Sequence, residues 1–414
     1  MLAKLSAATA AVTAAVAVAA SAPATAATGP TLPVMDPAGA MFTEAGGATP
    51  LATDKTIPHW NGSFTDPTNG VTYGYNMVGA DPKTNTAATV PTDIIPVNIV
   101  FSANNGYVLN GTNVVGRTVA SPIFQAADYA STDSATAADG TKGPGGELSP
   151  GNSGVQYEDA IMRSQFNKTG TGYHLNLGQP TVQAPVTFTV PTGKGSAYQN
   201  SRGVIYGLVD YAWFSSRIQQ LMGQVHTDPA HLPIFLTNNV MLNIGSECCV
   251  IGYHGASKAT GNGAGNTNGN GSQGVQTFAY AAYTTPGTYS DKAPYLKDIH
   301  ALSHEIAEWG DDPFVNNTVD PWLTPTAPQY GCTSVMETGD PVVGIGFTLP
   351  GNTYDTNSRA DGSWHPEDEV LLPWFARQNP NTTAQATQSG TGGRYTFMGD
   401  LNPYDGFRKP ATGC

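Results

Sequence analysis

Charge is scarce in this 414-residue chain: 12% of residues are Asp, Glu, Lys or Arg, and 31 acidic residues outnumber 18 basic ones, giving a formal net charge of −13. That balance would repel a polyanion or an anionic bilayer surface, so neither nucleic acid nor membrane is an expected partner. Past the N-terminus no stretch has the ~20 consecutive apolar residues needed to span a bilayer. The four cysteines, Cys248, Cys249, Cys332 and Cys414, show no C-x-x-C spacing, which argues against a thiolate metal site. A G-x-S-x-G turn is also missing, so Ser303 beside His304 lacks the setting of a nucleophile, and adjacent helical residues point in different directions. Histidine is sparse, with eight in the chain, which makes any histidine cluster informative. What is abundant is glycine (48) and proline (31), the composition of a loop-rich globular protein with an uncharged polar surface.

The first 26 residues have the form of a removable signal peptide: Lys4, an Ala/Val run from Ala7 to Ala20, and the small-residue site Ala24-Thr25-Ala26. The mature protein is therefore expected to be secreted and extracellular, with its cysteines oxidised in pairs. A bond between adjacent cysteines is strained, so Cys248 and Cys249 are each expected to pair with one of the distant two. Residues 27–92 are rich in Pro, Thr, Gly and Ala without a sustained period, and read as an extended N-terminal arm or a pro-segment. Residues 93–414 form the main domain.

Within it, strands are expected at 94–102, 184–190, 204–209, 233–244 and 276–284, and helices at 159–166 and 210–225, the latter capped by Asp210. Residues 131–154 and 255–274 read as long loops. Leu371, Leu372, Trp374 and Phe375 form an apolar run that is most simply a core-docking segment, with gripping of a polymer as the alternative.

The chemistry concentrates in residues 298–313, D-I-H-A-L-S-H-E-I-A-E-W-G-D-D-P. At about 100° per residue, His300, His304 and Glu308 project from one stripe of a helix, with Glu305 beside it and Ile299, Leu302, Ile306 and Trp309 on the opposite side. Pro313 ends the helix. The arrangement suits a divalent metal held by imidazole and carboxylate, with a neighbouring carboxylate as general base. It is a variant of the zincin helix H-E-x-x-H, with Glu308 in the second ligand position, which adds negative charge and lowers the Lewis acidity of a bound metal. His304 and Glu308 are the expected ligands and Glu305 the expected base. The alternative is an amphipathic helix whose polar face is solvated.

A third ligand would come from elsewhere. Glu337 and Asp340, in V-M-E-T-G-D, are the downstream candidates, and His254 and His300 are competing donors. Asp311 and Asp312 could bind the metal, cap a turn, or hold calcium together with Asn316, Asn317 and Asp320.

The segment L-S-H-E-I-A-E followed by D-P (302–308, then 312–313) resembles a helix motif of secreted bacterial proteins related to the plant EXORDIUM-like (phosphate-induced) family. G-Y-H (252–254), E-T-G-D (337–340) and L-L-P-W-F (371–375) are similar as well, so the resemblance spans roughly residues 233–397. It implies an extracellular protein with a zincin-like site. The fold expected is α+β: a zincin-like mixed sheet, a metal-site helix and a loop-rich C-terminal part. The function expected is a secreted zinc metallohydrolase, metallopeptidase-like, with peptides or cell-wall polymer as substrate. A non-catalytic extracellular or cell-wall binding protein with a structural or vestigial metal is the alternative.

Overall fold

A computed structural model describes residues 32–129, 154–166, 168, 170–225, 227–259, 274–323, 332–378 and 395–397. The expected leader, nearly all of the loop expected at 131–154, and Cys414 lie outside them. The main elements, in chain order, are β1 (Met41–Phe42), β2 (His59–Thr65), β3 (Thr72–Val78), β4 (Ala87–Val90), β5 (Thr92–Phe101), β6 (Tyr107–Leu109), α1 (Thr112–Val119) and α2 (Tyr157–Gln165). Next come β7 (His174–Leu177), β8 (Thr181–Val182), β9 (Val186–Val190), β10 (Gly195–Gln199), β11 (Ile205–Asp210), α3 (Tyr211–Val225), β12 (Leu232–Asn238), β13 (Val240–Ile244), β14 (Glu247–Ala259) and β15 (Gly274–Tyr283). The last part carries α4 (His300–Asp311), β16 (Thr318–Trp322), β17 (Thr333–Val335), β18 (Leu349–Pro350), β19 (Ser363–Trp364) and α5 (Leu372–Phe375).

The fold is α+β. Its centre is a large mixed sheet in the order β10-β11-β13-β14-β15-β12-β5-β6, with β8 and β9 also on β5 and β1 also on β14. Strands β12, β15 and β5 run parallel, whereas β14 is antiparallel to both β13 and β15. Alternation along β14 sends Tyr253 into the core that includes Phe214, Ile218 and Leu221 of α3, and His254 towards α4 on the other face. The capping expectation holds: the Asp210 carboxylate accepts the Trp213 N–H at 2.8 Å.

Helix α4 lies on β14 and β15. Ile299, Leu302, Ile306 and Trp309 are all buried, as the spacing predicts, and the Trp309 indole N–H donates to Thr277 at 3.0 Å. The polar side is buried too, with His300, His304 and Glu305 fully enclosed, so the solvated-face alternative fails. Trp374 and Phe375 are equally enclosed and dock α5 into the core, which leaves them no surface with which to grip a polymer.

Four expectations need correction. Residues 233–244 are two strands, because Asn239 adopts φ +53° and its side-chain oxygen accepts the Thr285 N–H at 2.7 Å; the chain turns there and β12 and β13 separate within the sheet. The loop expected from residue 255 starts later, since β14 continues to Ala259 on its partner β15. The cysteine pairing also differs: Cys248 and Cys249 form a disulfide with each other. They sit where the β13–β14 register shifts. Finally, residues 59–78 form a hairpin, β2–β3, where no period was legible.

Candidate metal centre

Two groups of donors meet on one side of α4. His304, Glu308 and Asp340 form one; His254, Glu305 and Glu308 form the other. Glu308 belongs to both, one oxygen lying 3.1 Å from His304 Nε2 and the other 3.5 Å from His254 Nδ1. Asp340 Oδ1 is 3.8 Å from the same His304 nitrogen, and Glu305 Oε2 is 3.4 Å from His254 Nδ1. Of the competing donors, Glu337 stands 3.7 Å beyond His254 on its Nε2 side. His300 turns away, with its Nε2 3.4 Å from Glu367.

Local chemistry explains the placement. Spacing of i, i+4 brings His304 and Glu308 together on the helix. The backbone N–H groups of Gly339 and Asp340 both donate to Glu308 at 3.2 Å, which holds the E-T-G-D turn against the helix. Glycine is needed at 339 because a Cβ there would run into the His304 ring. Gly252 plays the same part on β14, where a Cβ would lie 2.5 Å from a Glu305 oxygen.

His304 is held on its other nitrogen by Glu367, whose carboxylate is 2.6 Å from Nδ1. Glu367 is itself fixed by the Gly344 N–H at 2.9 Å and donates its own N–H to Ser303 Oγ at 2.9 Å. With Nδ1 committed to a carboxylate, Nε2 faces Glu308 and Asp340, the arrangement by which metal-binding histidines are oriented. The Phe42 ring stacks on the His304 ring, 3.5 Å between centroids.

The fit of these residues to a cation is tested by what their polar atoms touch. Among the described residues these groups meet mainly one another: His304 Nε2 and His254 Nδ1 have carboxylate oxygens at 3.1–3.5 Å, while Asp340 Oδ1 and both oxygens of Glu337 are buried without hydrogen-bond partners. Buried charge left in that state is costly, and a cation would satisfy it, so the donor set fits. The electrostatics agree. Burial pushes Glu305 up to about 7, against the pull of His254. Glu337 and Asp340 are raised well above the usual carboxylate range, by burial and by Glu308. Burial would raise Glu308 as well, but His304 and His254 outweigh it and hold it down to about 2. His254, which burial alone would lower, is carried up to about 10 by Glu305 and Glu308.

The segment considered for calcium is engaged otherwise. The Asp312 carboxylate accepts the N–H groups of Asn316 and Asn317 at 2.9 and 3.0 Å, Asp311 accepts from Gln165 at 2.6 Å, and Asp320 pairs with Arg377.

Sequence reasoning missed three participants. Glu367 sits in a run of three acids beside an apolar segment, and that unusual burial of acids is the signal that could have found it. Phe42 and Glu44 lie in the N-terminal segment, where no motif marks them; Glu44 is raised by burial and by Glu308, and feels His254 and His304. Among the described residues no helix is long and apolar enough to cross a membrane. Compared with known proteins, the chain matches no family model, no curated protein and no solved structure.

Proposed function

We propose that this chain is a secreted metal-dependent hydrolase, metallopeptidase-like, acting on peptides or cell-wall material, with His304, Glu308 and Asp340 holding the cation and Glu305 as general base. The observation that carries the reading is the convergence of buried imidazole and carboxylate donors around Glu308. Zinc suits imidazole and carboxylate donors, and the resemblance of the helix to EXORDIUM-like proteins supports an extracellular setting. When bound, the cation supplies Lewis acidity and makes water a better nucleophile near neutral pH.

The residues do the rest. Glu367 keeps the His304 proton on Nδ1, leaving the Nε2 lone pair for the cation. Glu305, adjacent to the ligands and raised to about 7, is poised to take a proton from the attacking water and pass it to the leaving nitrogen. His254 steadies that carboxylate from the sheet side.

Quenched fluorescent peptides test the proposal. Hydrolysis should stop on chelation, return with added zinc, and fall by about 10²–10⁴ in kcat for Glu305→Gln, with zinc content unchanged. Turnover that survives chelation, or that ignores Glu305→Gln, would overturn it. A second reading, a non-catalytic binding protein with a structural cation, is favoured by the cover that Phe42 gives His304. It predicts bound zinc and no turnover.

A further inference from the structure

Away from the donor cluster, a crevice of about 310 Å³ lies between α1 and residues 355–357, just past the carboxyl ends of β12 and β15. These two strands run parallel, and the space beyond the carboxyl ends of parallel strands is where such sheets leave room for a ligand. The volume is at the small end of the range for ligand sites, room for a ring-sized group and not for a folded partner. Its walls are fixed by the protein itself. Asn357 Nδ2 donates to the Pro286 carbonyl at 3.1 Å, tying the loop to the chain after β15, and the Thr285 N–H donates to Asn239 at 2.7 Å, tying that chain to the end of β12.

The crevice is lined by amides and hydroxyls, with one charge of each sign. Arg117 and Asp355 face each other, Nη1 lying 3.5 Å from Oδ2, so their charges offset. The pair is loose. Asp355 Oδ2 is buried and makes no hydrogen bond among the described residues, and burial raises the carboxyl above its ordinary range against the pull of Arg117. Asn238 Oδ1 is likewise buried without a hydrogen-bond partner among the described residues. The Arg117 guanidinium rests over the Tyr283 ring, 5.8 Å from its centroid. At the rim, Tyr354 is 47% exposed, its ring tilted against Trp364.

We propose that this crevice binds one unit of a neutral oligosaccharide, with Arg117, Asp355 and Asn238 hydrogen-bonding its hydroxyls and Tyr354 carrying the next unit at the rim. Sugar hydroxyls both donate and accept, so a planar amide, carboxylate or guanidinium meets two neighbouring ones at once, and the C–H face of a sugar ring rests on an exposed aromatic. An anion would meet the Asp355 carboxylate, and a cation the Arg117 guanidinium. The crevice shares no residue with the donor cluster, and the assignment stands whether or not that cluster is hydrolytic.

Isothermal titration calorimetry on the full chain tests it, with cellohexaose, xylohexaose and mannohexaose as probes. One of them should bind with a Kd of about 1 mM or below, and Arg117→Lys, which keeps the charge and loses the planar fork, should weaken it about tenfold. Tyr354→Ala, at an exposed position where folding is not at stake, should weaken it by about threefold or more. Lys258→Ala, in a separate crevice beside α3, should change nothing. His304→Ala should bind the sugar as wild type does, so that failure of the metal centre and failure of this site read out separately. No binding of any of the three sugars, or binding that Arg117→Lys and Tyr354→Ala both leave unchanged, would overturn the proposal. Sugar binding lost in His304→Ala would overturn it too, by placing the sugar at the donor cluster. Uptake of glycine in place of sugar would do the same, by making the Arg117–Asp355 pair a site for a zwitterion.

Discussion

His304 is fixed from three sides, by the Glu367 carboxylate on Nδ1, by the Phe42 ring on one face, and by the turn at Gly339 that only glycine lets close. An imidazole so constrained loses little freedom on binding a cation, and its Nε2 is aimed before the cation arrives. Glu367→Gln keeps the shape but removes the charge that favours a proton on Nδ1. Zinc affinity should fall by about tenfold or more, as read by competition with a chromophoric chelator, while the thermal transition of the protein stays cooperative. An unchanged affinity would mean that Glu367 only fills space. The ligand pair His304 and Glu308 was legible in the sequence because both lie on one helix, where spacing fixes geometry. Glu367 was not, because its partner is 63 residues away and the contact depends on how the C-terminal part folds back. His300 shows the limit of the stripe argument: it shares the helix face but meets Glu367, not Glu308.

At the scale of elements, α4 is a buried helix with two differently burdened sides. One carries the donor cluster. The other meets α2, where Asp311 and Glu158 share a buried interface: both Glu158 oxygens and one Asp311 oxygen lack hydrogen-bond partners among the described residues. Burial, reinforced by Asp312 and Glu308, pushes Asp311 up to about 8. A carboxyl raised in the folded state costs nothing below its unfolded pKa of ~4, where both states are protonated, and takes away stability progressively as pH rises towards its folded value. Asp311→Asn keeps an oxygen for the Gln165 donor and removes that titration. In urea unfolding the variant should match wild type near pH 4 and exceed it at pH 8 by several kcal/mol, ~5 at most, from ~1.4 kcal/mol per unit between ~4 and about 8. A difference independent of pH would refute the assignment. Elements with strong periodicity, such as α3, α4 and β5, were legible locally. The break at Asn239 was not, because 233–244 is apolar on both sides of it and only the placement of β12 and β13 on different neighbours reveals the turn.

For the whole molecule, the sheet gathers at one place residues that the sequence scatters: Glu44, His254, the α4 pair, Glu337 and Asp340. Carboxylates outnumber imidazoles there, which a chain with net charge −13 can tolerate in its interior only with protons or a cation to balance them. The metal content of the purified protein decides the matter, with wild type measured beside His304→Ala and Glu305→Gln. Close to one zinc per chain in wild type and in Glu305→Gln, and none in His304→Ala, is the predicted result. A wild-type protein that carries no metal and takes up none when supplied with zinc would mean that the donors around Glu308 do not hold a cation.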